Sequence, residues 1–83
     1  MSLEKIMQAK HKTVGTKQTM RLVESGKASL VFVARDADPR LTGKIVNLCK
    51  KSGVKVTWVD SMKQLGKACG IEVGAAMAAT AQE

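Results

Sequence analysis

Apolar and polar residues follow two rhythms along this chain, a helical spacing and short continuous apolar runs. Leu30-Val31-Phe32-Val33-Ala34 is unbroken and rich in β-branched residues, the mark of a strand covered on both faces. Val54 to Val59 predicts another strand, Thr13-Val14 a short extended piece, and Ala75 to Thr80 a last strand of small residues. Between these runs the spacing is helical. Ser2 can cap a first helix to about Ala9, with Leu3, Ile6 and Met7 on one face. Gly15-Thr16 opens a second helix with Met20 and Val23 inward, and Gly26 closes it. Asp38-Pro39 starts a third, because Asp caps free N–H groups and Pro fits the first helical position. Its inner face is Leu41, Ile45, Leu48 and Cys49, its wet face Arg40, Lys44, Asn47 and Lys51, and Gly53 stops it. Ser61 with Gln64 forms a capping box for a short helix through about Cys69, and Gly70 and Gly74 frame a loop.

Helices alternating with buried-type strands predict an α/β protein, a three-layer α/β/α sandwich with a small mixed β-sheet. No linker or repeat divides the sequence, so residues 1–83 form one expected domain.

Charge sharpens this picture. Lys and Arg number 14 against 7 Asp and Glu, a formal net charge of +7. On so small a surface that excess attracts polyanions, of which nucleic acid is the commonest; an anionic membrane and an acidic protein are the other candidates. The longest apolar run is too short to cross a bilayer, and the first residues lack the apolar core of a signal peptide. We therefore expect a soluble cytoplasmic protein with no membrane partner, a monomer, with Cys49 and Cys69 as reduced, buried thiols.

Three segments carry candidate chemistry. In Gly15-Thr16-Lys17-Gln18-Thr19-Met20-Arg21, a glycine at the helix mouth allows close approach, and the first turn offers N–H groups to a phosphate. Lys17 adds charge, Arg21 lies one turn on, and Gln18 can donate and accept at a base edge; the plainer alternative is a solvated helix start. In the segment Leu65 to Gly74, Ile71 and Val73 either stand near the surface, against an extruded base, or are the first inward residues of the last strand. Asp36 and Asp38 could suggest a divalent cation, but Asp38 is explained as a helix cap, and Asp36 can hold its loop through local hydrogen bonds. No metal site or cofactor is expected, and no catalytic residue. His11 has no patterned carboxylate or nucleophile beside it, and one His with two Cys does not match zinc spacing. Aromatic residues make up 2% of the chain, and Phe32 and Trp58 are both expected in the core, which argues against a base-stacking platform.

Gly15-Thr16-Lys17-Gln18-Thr19, Val33-Ala34-Arg35-Asp36-Ala37-Asp38-Pro39 and Leu65-Gly66-Lys67-Ala68-Cys69-Gly70-Ile71 resemble, in order and spacing, the three signature blocks of the kink-turn-binding ribosomal protein superfamily. This is the group of archaeal L-seven-Ae and eukaryotic L-thirty-e, and the similarity is strongest to its short, ribosomal-protein-like bacterial branch. The resemblance implies a non-catalytic RNA-binding protein that recognises a kink-turn, a bulge followed by sheared G·A pairs. It implies that Lys17 and Gln18 read the guanines, Gly15 and Thr16 bring the helix end close, and Arg21 and Lys67 contact backbone. It further implies that Ile71, Glu72 and Val73 cover a flipped-out nucleotide. Archaeal members usually carry Asn-Glu at the Lys17-Gln18 positions, so guanine reading here would lack a charge-assisted bond. Arg35 stands where an acidic residue is common, and is expected to add a backbone contact. The cellular RNA could be ribosomal, a riboswitch or another non-coding RNA; the alternative role is a structural component of the ribosome or another ribonucleoprotein particle.

Overall fold

A computed structural model of the chain describes residues 6–9 and 11–81. Residues 6–8 are helical (α1), and the expected Ser2 cap and Leu3 lie outside the described residues. There follow β1 (Lys12–Val14), α2 (Thr16–Glu24), β2 (Ala28–Ala34), α3 (Pro39–Ser52), β3 (Lys55–Val59), α4 (Met62–Ala68) and β4 (Met77–Ala81). The last strand thus starts two residues later than its apolar run suggested.

Local signals explain most boundaries. Asp38 accepts a hydrogen bond from the Arg40 amide at 2.9 Å, Pro39 follows, and Gly53 ends α3 in the left-handed conformation with φ 71°. The Ser61 hydroxyl accepts from the Gln64 amide at 3.1 Å and starts α4.

The four strands lie in the order β1-β4-β2-β3. β2 is parallel to β3, with Leu30 beside Lys55 and Ala34 beside Val59, and antiparallel to β4; β4 is antiparallel to β1. The sheet is therefore mixed, with β1 and β3 at its edges. Side chains alternate across it. Phe32, Ala34 and Ala78 pack with Ile6, Leu65 and Ala68 on one face. Val31, Val33, Met77 and Ala79 pack with Val23, Ile45 and Cys49 on the other. Helices cover both faces, as the α/β/α expectation requires. The small residues of β4 fit a central strand pressed from both sides.

Two apolar expectations fail. Trp58 is 42% exposed, not core. It lies beside Val33 on the outermost strand, where no further strand among the described residues flanks its outer side. Met7 is 60% exposed while Ile6 is fully buried, so they do not share an inner face. No helix among the described residues is long and apolar enough to cross a membrane.

Candidate nucleic-acid interface

Sheet register decides which loops meet. β1, β2 and β3 all end, and β4 begins, at the same end of the sheet. Gly15, Arg35 to Asp38, Asp60 and Ser61, and Ala75 and Ala76 are consequently neighbours. Two backbone bonds fasten them: the Gly15 amide donates to Met77 O at 3.1 Å, and the Ala34 amide to Ala76 O at 2.9 Å. Two of the three sequence blocks are thereby brought to one end, with the loop leading into β4 beside them.

Gly15 precedes α2 with φ 105° and ψ 157°, a conformation that side-chain-bearing residues rarely adopt. It supplies no side-chain cap, and the first turn of α2 contains no acidic residue. The helix start is thus uncapped and positive, as an anion requires, with Gln18 Oε1 3.1 Å from where a Cβ on Gly15 would stand. Thr16 is half-buried, whereas Lys17 and Gln18 are exposed; Thr19 faces inward and is fully buried. Gln18, Arg21 and Lys27 line a shallow groove of about 440 Å³ with Thr13, Leu22 and Ser25.

The loop after β2 is held by its two aspartates. Asp36 Oδ1 accepts from the Met62 amide at 2.8 Å, a bond to the start of α4 and not the local one expected of it. Asp38 binds both the backbone and the guanidinium of Arg40, which hold its carboxyl below the usual value of 3.8. Among the described residues no cluster of His, Cys, Asp and Glu suits a metal ion. Arg35 lies 3.9 Å from Asp60 with both side chains largely exposed. Such a pair is worth little in water and is readily exchanged for a phosphate.

The loop between α4 and β4 rests directly on α4. The Ile71 amide donates to Gly66 O at 3.0 Å, and the Ala75 amide to Met62 O at 3.0 Å. A Cβ on Gly66 would overlap the Val73 carbonyl, so glycine is what lets the loop lie this close. Both alternatives for this segment hold in part. Ile71 packs on the core, while Val73 is 72% exposed and Glu72 is also exposed. Lys67 stands apart from the Gln18–Arg21 groove and lines a different one, of about 260 Å³, with Met7, Gln64 and Ala68. The Asp36–Met62 bond and the Gly66–Val73 contact have no local sequence signal, because each joins distant segments. Cys49 and Cys69 are free and buried, and burial pushes both thiols up from the ordinary value.

These features define a class: small basic α/β/α sandwiches with a loop-built face at one end of a mixed sheet. The chain belongs to the Ribosomal protein L7Ae/L30e/S12e/Gadd45 family, whose model matches residues 1–83. It is 56% identical over 79 residues to an RNA-binding protein of Geobacillus sp. (strain WCH70), covering 95% of this chain and 96% of that one. It is 39% identical over 66 residues to the large ribosomal subunit protein eL8 of Halobacterium salinarum, covering 78% of this chain and 55% of that one. The Giardia lamblia 15.5kD RNA binding protein superposes with a TM-score of 0.86 at 27% identity, covering 98% of this chain and 68% of that one.

Proposed function

We propose that this chain binds RNA and that its target is a kink-turn, which it holds in the bent form without catalysing a reaction. The supporting observation is the meeting of the uncapped, positive start of α2 with the Arg35 loop and the loop before β4 at one end of the sheet. Gly15 and Thr16 bring the helix end against the RNA, and Lys17 attracts phosphate. Gln18 reads a guanine edge through its amide, and Arg21 and Arg35 contact backbone. Ile71, Glu72 and Val73 cover an extruded nucleotide, with Val73 supplying an exposed apolar surface. Lys67 makes a peripheral phosphate contact. The names of the relatives support the RNA assignment. We further assign the chain to the cytoplasm as a monomer.

A protein that prefers the kinked form draws the RNA population towards it. Energy transfer across a doubly labelled kink-turn at low magnesium tests this, and end-to-end distance should shorten as protein is added. An unchanged distance would reject the proposal. The similarity to eL8 supports a second reading, a stable ribosomal component; co-sedimentation with ribosomal particles through a salt wash tests it.

A further inference from the structure

Positive charge is least balanced at the end of the molecule that the proposed grip does not use. Asp36, Asp38, Asp60 and Glu72 lie in the segments following β2, β3 and α4; among the described carboxylates only Glu24, at the end of α2 and three residues before Lys27, lies towards the other end. At the other end β2 and β3 begin side by side, and α3 runs back along them to its stop at Gly53. This brings Lys27 ahead of β2, Lys50 and Lys51 on the last turn of α3, and Lys55 at the head of β3 to one pole.

All four lysines are exposed. The ion pairs among the described residues are Arg35–Asp60 and Arg40–Asp38, so no described carboxylate holds any of these lysines. Lys50 and Lys51 complement the carbonyl end of α3. That accounts for neither Lys27 nor Lys55, which sit on other elements. Among the described residues the exposed large apolar ones are Met7, Trp58 and Val73; Trp58 shares β3 with Lys55 but lies beside Val33, towards the opposite end of the strand, and the other two are on other segments. A membrane-surface site inserts apolar side chains, and a protein interface is built around an apolar or aromatic centre. Lysines without either match a phosphate backbone.

We propose that Lys50, Lys51 and Lys55, flanked by Lys27 on the side where it shares a groove with Gln18 and Arg21, form a second RNA-backbone contact, through which one chain holds a duplex segment beyond the one gripped at Gly15 to Gln18. It rests on the assignment of the opposite end as an RNA grip. β2 has 7 residues, which at about 3.3 Å each separates the two poles by roughly 20 Å. Contact at Gly15 to Gln18 therefore leaves Lys50, Lys51 and Lys55 free.

The test uses the full chain and its Lys50→Gln/Lys51→Gln/Lys55→Gln variant, with circular dichroism confirming that both are folded. A labelled plain RNA duplex is titrated with a preformed complex of protein and short-armed kink-turn RNA, and anisotropy is followed at several salt concentrations. The wild-type complex should take up the duplex. The variant should take it up about tenfold more weakly, with a log–log salt slope shallower by about 2–3. Its affinity for the short-armed kink-turn should be unchanged. Equal duplex uptake by both proteins overturns the proposal, as does loss of binding to phosphatidylserine vesicles with duplex uptake retained. Should the kink-turn itself not bind, the duplex titrated with protein alone still separates the poles. In that case a Lys17→Ala/Gln18→Ala variant should retain duplex binding, and loss of binding in that variant but not in the triple variant overturns the lysine pole.

Discussion

The Asp36 carboxylate accepts a hydrogen bond from the Met62 amide at 2.8 Å and so ties the loop after β2 to the start of α4 across 26 residues of sequence. One free donor at the helix start is satisfied, and one loop of the proposed interface is fixed to another element. Asp36→Ala should destabilise the fold by about 1 kcal/mol, the usual effect of removing such an acceptor. Asp36→Asn, which keeps an acceptor oxygen, should recover most of that. Urea unfolding of the three proteins checks the order.

Gly66→Ala sets two effects of opposite sign against each other. Alanine in an exposed helix interior would stabilise by about 0.5–1 kcal/mol. At Gly66 the added Cβ would meet the backbone of Val73 and Gly74, and such crowding costs about 1–3 kcal/mol. The contact is with backbone, so we expect net destabilisation, with the loop before β4 displaced and RNA affinity lowered. A variant as stable as wild type, with unchanged affinity, would contradict the described contact.

Gln18 and Lys67 line separate grooves, and their removal should be felt differently. Gln18→Ala should cost about 1–3 kcal/mol of binding to a kink-turn and reduce its preference over plain duplex. Lys67→Ala should weaken both RNAs evenly and lower the salt dependence by about one counterion. Parallel titrations of kinked and plain RNA for both variants distinguish a base contact from a phosphate contact.

Burial disfavours the thiolates of Cys49 and Cys69, so the folded chain holds both thiol protons to higher pH than the unfolded chain does. Below the ordinary thiol value of 9.0 both states are protonated, and these groups give no pH slope. Above it the unfolded chain loses its protons first, and stability falls as pH rises. Urea midpoints measured across that range should decline, and less steeply for Cys49→Ala/Cys69→Ala. Native thiols should also react slowly with iodoacetamide compared with those of the unfolded chain.

Trp58 is the sole tryptophan, so the fluorescence of the protein reports its position alone. Half-exposed on an outer strand, it should be quenched substantially by acrylamide in the folded state. A shielded emission would restore the core placement that its sequence context suggested.

What was legible in the sequence was local. The apolar run at Leu30, Asp38-Pro39, Gly53 and Ser61 each act within a turn or so of chain, and each marks a boundary in the structure. Strand order is not a local property. Periodicity places Trp58 in a strand but cannot tell an edge strand from a central one, and that difference decides its exposure. The same holds for the candidate site. Its helix start is readable from Gly15 and Lys17, and the three blocks from their order. The contacts that assemble it, Asp36 with Met62 and Gly66 with Val73, depend on where α4 lands against the sheet. Ile71 and Val73, indistinguishable as apolar residues beside glycine, were divided by that same packing into one core residue and one exposed residue.

The outer strands bear on how the unbound protein behaves in a crowded solution. An open strand edge presents unpaired N–H and C=O groups on which a second chain can nucleate an aggregate. β1 is only 3 residues long and carries Lys12, and β3 begins with an exposed Lys55. Strand addition would have too short a template on one side and would crowd ammonium groups together on the other. Both edges of this sheet should therefore disfavour strand addition by a second chain.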